Sequence, residues 1–204
     1  MKNYLLFVLL FFTSCISSAK TDIILRGELK NIYTQKSQPY KKILVKWLNY
    51  PYKDFHKFNY LEKKLEDIKP VEVDEESYKK LKSNIIREFK ESGLYDQENG
   101  NGTLKILLTS YGRWTKKELL STYLVDTAYI FLLPSSLNVN YVMKAIVERD
   151  NKIIEFEKQG QIKTTFFFLL LPISPFSSYS GSEKTLLNNL IYQTISELKK
   201  IPEK

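Results

Sequence analysis

The sequence predicts an α+β domain, an α/β sandwich in which a mixed or antiparallel sheet of five or six strands carries two long amphipathic helices on one face. Three observations lead there. Apolar residues recur every three or four positions in Tyr78-Leu81-Ile85-Phe89 and again in Leu186-Leu187-Leu190-Ile191-Ile195-Leu198, the period of a helix with one buried stripe. They alternate singly in Leu104-Ile106-Leu108 and in Val139-Tyr141-Met143-Ala145, the period of a strand with one buried face. The segments between are mostly short and turn-rich, and 204 residues suit one domain with a sizeable core.

Taken in order, residues 23–29 (Ile-Ile-Leu-Arg-Gly-Glu-Leu) read as a first strand. Residues 35–39 read as loop, and Lys42 to Leu48 as a second strand before the Asn49-Tyr50-Pro51 turn. Asn59 and Glu62 have the spacing of a helix cap, with Leu61, Leu65 and Ile68 on one face until Pro70. Asp74 to Gly93 is the clearest helix of the first half. Asp74 caps it, Glu75 and Glu76 favour its positive end, and Gly93 suits a left-handed exit.

Beyond the turn at residues 99–102, Thr103 to Tyr111 is a strand. Thr115 to Glu118 offers a capping box, and Thr127 to Leu133 a strand closed by Pro134. Residues 138–149 and 152–158 form a hairpin about Asp150-Asn151. Phe166-Phe167-Phe168-Leu169-Leu170-Leu171 is apolar on every side and is bounded by Pro172 and Pro175. It reads either as a fully buried strand or as an apolar loop that enters a bilayer or a partner. Ser180 with Glu183 has the spacing of a capping box for the last helix, which runs to Lys199-Lys200.

The first residues carry a targeting pattern. Lys2 is followed by the apolar run Tyr4 to Phe12 and then by Thr13-Ser14-Cys15, the order of an export signal. The run is too short for a spanning helix, which needs about 20 apolar residues. Cys15 and the residues before it resemble the lipobox of bacterial lipoproteins, with Phe12 where leucine is usual. That resemblance implies cleavage before Cys15 and transfer of a diacylglycerol to its thiol. The expected organisation is therefore a signal at 1–14, a lipidated tether at 15–22 and one α/β domain at 23–200. An alternative is a plain secretory signal cut near Ala19. Cys15 is the sole cysteine, so an internal disulfide is excluded. Ile16 and Ser17 lack the aspartate that resembles an inner-membrane retention signal, which points to the outer membrane.

The formal net charge of +8 is spread as single and paired lysines among glutamates, which suits contact with anionic lipid or glycan. No basic block interleaves with stacking aromatics, so nucleic acid is not an expected partner.

Catalytic signals are sparse. His56 stands alone, without an orienting acid or a second metal ligand nearby. No serine occupies a Gly-x-Ser-x-Gly elbow. Glu72, Asp74, Glu75 and Glu76 lack the spacing and central glycine of a calcium loop. Neither an enzyme nor a cofactor is expected.

The aromatic residues are more informative. Tyr50, Tyr52, Phe55, Phe58 and Tyr60 interleave with Lys53 and Lys57, a composition that docks on a glycan, a lipid interface or a protein. With Phe166, Phe167, Phe168 and Leu170 they form the expected interaction patch.

The mature chain further resembles a broad group of envelope lipoproteins. The residues that carry the likeness are Glu91-Ser92-Gly93-Leu94-Tyr95, Phe131-Leu132-Leu133-Pro134, Tyr141 to Val147, Thr165 to Pro175 and Leu186 to Leu198. Ile43 to Pro51 looks like the opening strand of the N-terminal domain of TolB and of lipoproteins that accompany transport machines. The resemblance implies a non-enzymatic adaptor, held to the membrane through lipid on Cys15 and engaging an envelope protein. The alternative is a carrier for a lipid or other small apolar ligand, with a pocket lined by Phe166, Phe168 and the last helix.

Overall fold

The computed structural model describes residues 15–51, 69–114, 135–149, 152–166 and 178–201. Its elements are β1 (Cys15–Lys20), α1 (Arg26–Thr34), β2 (Lys42–Pro51), β3 (Val71–Glu72), α2 (Glu75–Glu91), β4 (Thr103–Arg113), β5 (Ser135–Arg149), β6 (Lys152–Phe166) and α3 (Tyr179–Lys199). The strands form one sheet in the order β1-β6-β5-β4-β2-β3. β2 and β4 are parallel and the other pairs antiparallel. The α+β sandwich expected from the two periodicities is the fold observed, with a short third helix added.

Strand alternation sets the layers. Leu104, Ile106 and Leu108 of β4 and Val139, Tyr141, Met143 and Ala145 of β5 are all at most 1% exposed. They meet Ile85 and Phe89 of α2 and Leu190, Ile191 and Ile195 of α3, each fully buried. The intervening residues face away from the helices. Lys42, Lys46, Asn138, Asn140 and Lys163 there are exposed, and the ion pairs Lys105–Glu148 and Lys144–Glu155 lie among them. A sheet with antiparallel outer strands tolerates one wet face.

α2 and α3 lie side by side and run the same way. Asn84 Nδ2 donates to Asn188 Oδ1 at 2.8 Å midway along them. Asp74 caps α2 by accepting from the Ser77 amide at 2.8 Å, and Gly93 takes φ +72° just past its end, both as the sequence indicates. α3 is capped two residues earlier than expected, at Ser178. Ser178 Oγ accepts from the Gly181 amide, while Glu183 is drawn inward to Arg113 and Tyr141.

Two expectations near the start are corrected. Residues 23–29 are not a strand: Ile23 and Leu25 are 70% and 65% exposed, and helix α1 begins at Arg26, with the Glu28 carboxylate accepting from the Leu25 amide. The apolar residues that suggest a strand therefore contribute nothing to the core. The expected tether at 15–22 is in large part the edge strand β1, paired with β6 from Cys15↔Phe166 to Lys20↔Gln161. Ser17 is buried and its Oγ lies 2.8 Å from Thr164 Oγ1. The small residues that resemble a linker are what lets this strand pass beneath α3, where Ser182 Oγ donates to the Ser17 carbonyl. The sequence-predicted elements at 59–68, 115–118 and 127–133, and the turn Asp150-Asn151, lie outside the described residues.

Candidate functional site

One end of the sheet gathers the positions of interest. β1 and β5 begin there, at Cys15 and Ser135, both opposite Phe166 at the end of β6. β2 and β4 finish at the same end, where Pro51 meets Arg113. Cys15, Pro51, Trp114 and Phe166 thus border one margin, called the Cys15 end below.

Of the expected patch residues, Tyr50 and Phe166 fall among those described. Tyr50 is half-buried on the face away from α2 and α3 and stacks on Tyr111, with ring centroids 5.0 Å apart and an interplanar angle of 4°. Tyr111 was not singled out by the sequence, where alternation within 103–111 marks it only as outward-facing. Phe166 is corrected: it is 4% exposed and packs against Trp114, centroids 6.2 Å apart. It is a core residue rather than a surface contact, because its strand parity places it with Ile162 and Thr164 under α3. Tyr52, Phe55, Phe58, Tyr60, Phe167, Phe168 and Leu170 lie outside the described residues, as does His56.

Beside this margin is a buried polar cluster that sequence reasoning missed. β4 bulges at Gly112, φ +76°, where the β2 register passes from Tyr111 to Arg113. A bulge re-aims the next side chain, and Arg113 turns from the open face to the helix face. Its Nε donates to Glu183 Oε1 at 2.8 Å and its Nη2 to Ser77 Oγ at 3.2 Å. The guanidinium lies 5.0 Å from the ring of Trp47, whose Nε1 donates to Ser110 Oγ at 3.1 Å.

The Tyr141 hydroxyl donates to Glu183 Oε1 at 2.6 Å. Its single proton is thereby committed, so Tyr179 is the donor in the 2.8 Å contact between the two hydroxyls. Burial, the neighbouring Tyr179 hydroxyl and the Glu183 charge hold the Tyr141 phenol protonated well above its ordinary range. Burial and Glu183 do the same for Tyr179. Burial opposes the charge on Arg113, but the hydrogen bond and charge of Glu183 outweigh it and the pKa rises. Each of these groups has a partner, the arrangement of a structural clamp rather than of a poised acid or base.

Two clefts flank the helices. One of about 640 Å³ lies between α2 and α3, with Trp47 and Glu183 deep in it and Lys80, Arg87 and Lys184 around it. The other, about 690 Å³, lies where the C-terminal ends of α1, α2 and α3 meet, beside Lys36, Lys90 and Lys199. Phe166 lines neither of them. Among the described residues no group of three or more His, Cys, Asp or Glu side chains is placed to hold a metal ion. No helix among them is long and apolar enough to cross a membrane.

Comparison with known protein families, with curated proteins and with solved structures finds no match. The likeness to envelope lipoproteins therefore rests on the residues quoted from the sequence.

Proposed function

We propose that this protein is a lipid-anchored lipoprotein of the cell envelope, acylated on Cys15, that acts as a non-enzymatic interaction or assembly module. The observation that carries the reading is the pairing of Cys15–Lys20 with β6. Cleavage before Cys15 leaves β1 whole, whereas a cut near Ala19 would remove most of β1 and the buried Ser17–Thr164 contact.

An acyl group on Cys15 would hold the Cys15 end of the sheet at the bilayer surface. β2, β4 and β6 reach this same margin at Pro51, Arg113 and Phe166. Two acyl chains provide stable anchoring where one gives only reversible binding. The satisfied Arg113–Glu183–Tyr141 cluster favours a binding role over catalysis.

Two measurements test this. Labelled palmitate should enter the wild-type protein and not Cys15→Ala, and the variant should move to the soluble fraction after cell disruption. Crosslinking of the wild-type protein in intact envelope should then yield a protein partner in comparable amount. Unlabelled wild-type protein would refute the anchor, and recovery of lipid alone would favour the carrier over the module.

A further inference from the structure

We infer that the sheet face turned away from α2 and α3 carries, near its Cys15 end, a binding site for an acidic glycan, a hydroxyl-rich chain bearing carboxylates. The inference goes beyond the module reading and does not depend on acylation of Cys15.

The strand registers set one row of side chains across five strands: Lys20 of β1, Gln161 of β6, Asn140 of β5, Tyr111 of β4 and Tyr50 of β2. Asn138 and Lys163, opposite each other, stand in the next row toward Cys15. With neighbouring strands about 4.8 Å apart, the longer row spans about 19 Å, room for several sugar rings laid across the strands.

The hydrogen bonds of this row select a hydroxyl-rich ligand. Gln161 Nε2 donates to Asn140 Oδ1 at 2.9 Å. The Asn140 Nδ2 donor and the Gln161 Oε1 acceptor are thereby left side by side, both uncommitted among the described residues. A donor next to an acceptor meets two adjacent hydroxyls, each of which can give and accept. Tyr111 closes one side of this position. One of its ring faces is taken by Tyr50, and because β4 lies between β2 and β5, the other is turned toward Asn140. The negative face of an aromatic ring attracts the slightly positive C–H groups of a sugar.

Charge selects an acid among glycans. Lys20 and Lys163 are exposed, and neither has an ion-pair partner among the described residues. The carboxylates described on this face, Glu72, Glu148, Glu155 and Glu157, stand in rows farther from Cys15, and Glu148 and Glu155 are paired with Lys105 and Lys144. Two free ammonium groups among neutral amides do not suit a nucleic acid, which is bound by neutralising many phosphates. A membrane-binding face joins basic residues to aliphatic or tryptophan side chains, and these two rows hold none.

The test titrates the full-length protein with oligogalacturonate, with neutral dextran and with phosphatidylglycerol vesicles, following the side-chain amide resonances of Asn138, Asn140 and Gln161. Oligogalacturonate should move these resonances, and dextran should bind about tenfold or more weakly. Asn140→Ala should weaken oligogalacturonate binding about tenfold, the effect of one lost hydrogen bond. Lys20→Gln/Lys163→Gln should bring it down to the level of dextran. Lys46→Gln, on the same face but outside the two rows, should change neither. All these positions are exposed, so melting temperatures should hold. Amides left unmoved by oligogalacturonate, or dextran bound as tightly, would overturn the inference. Vesicles that move the amides when oligogalacturonate does not would overturn it in favour of a lipid surface. A loss in Lys46→Gln equal to that in Lys20→Gln/Lys163→Gln would reduce the binding to net charge and overturn the site. Each of these results is independent of the palmitate and crosslinking outcomes above, so the two readings fail separately.

Discussion

At the scale of single residues, the Arg113–Glu183 pair is the feature on which stability turns. Both side chains are largely out of solvent, 13% and 14% exposed, so removing one partner strands a buried charge. Glu183→Ala should lower unfolding free energy by about 3 kcal/mol, read from urea melts. Arg113→Met with Glu183→Leu should recover much of that loss, since an apolar pair of similar volume needs no counter-charge. The tyrosines give the cluster a pH signature. Tyr141 and Tyr179 stay protonated in the folded state above their ordinary value of 10.0, whereas the unfolded chain loses those protons there. Stability should therefore fall as pH rises above about 10, and Tyr141→Phe should flatten that decline in melts between pH 9 and 11. None of this was legible beforehand. Glu183 sits three residues after Ser180 and reads as a helix cap, and strand parity alone would send Arg113 outward. The inversion comes from the bulge at Gly112, which leaves no mark in an alternating pattern.

At the scale of elements, the two long helices and the strands at 42–48, 103–111, 138–149 and 152–158 could be read directly, because each carries its apolar period along its own length. The failures were short. β1 carries a buried serine, Ser17, whose partner lies 147 residues away, and local pattern cannot register that. α1 contributes only Ile32 and Tyr33 to the core packing, too few to establish a period. The bulge itself can be tested: Gly112 has φ +76°, so Gly112→Ala should cost about 1–2 kcal/mol through the left-handed backbone. That loss should shrink in an Arg113→Met/Glu183→Leu background, since displacement of Arg113 then matters less. On α3, hydrogen bonds from Lys158 and Lys200 hold the Glu197 carboxyl below its ordinary 4.5. Its contribution is present above that value and lost as pH falls through the depressed folded-state pKa. Glu197→Gln should accordingly make acid unfolding below about pH 4.5 less steep, measured by circular dichroism.

At the scale of the whole molecule, the expected patch mixes residues of different standing. Phe166 belongs to the core and Tyr50 to a stacked pair at the Cys15 end, while Ile153 and Ile154 of the hairpin are exposed. Aromatic composition drew attention to one end of the sheet, while the isoleucines of the hairpin read simply as strand formers. A chain lacking residues 1–20 should be less stable than one carrying only Cys15→Ala, because the first loses a strand and the second only the thiol. Thermal melts of the two compare them directly. The same edge strand bears on the order of assembly. β1 is made first and pairs last, since its ladder partner lies near the far end of the chain, and contacts of such long sequence separation form late and slowly. During synthesis the segment around Cys15 would therefore remain unpaired until β6 had followed it, and the acylation proposed above would find its thiol open during that interval.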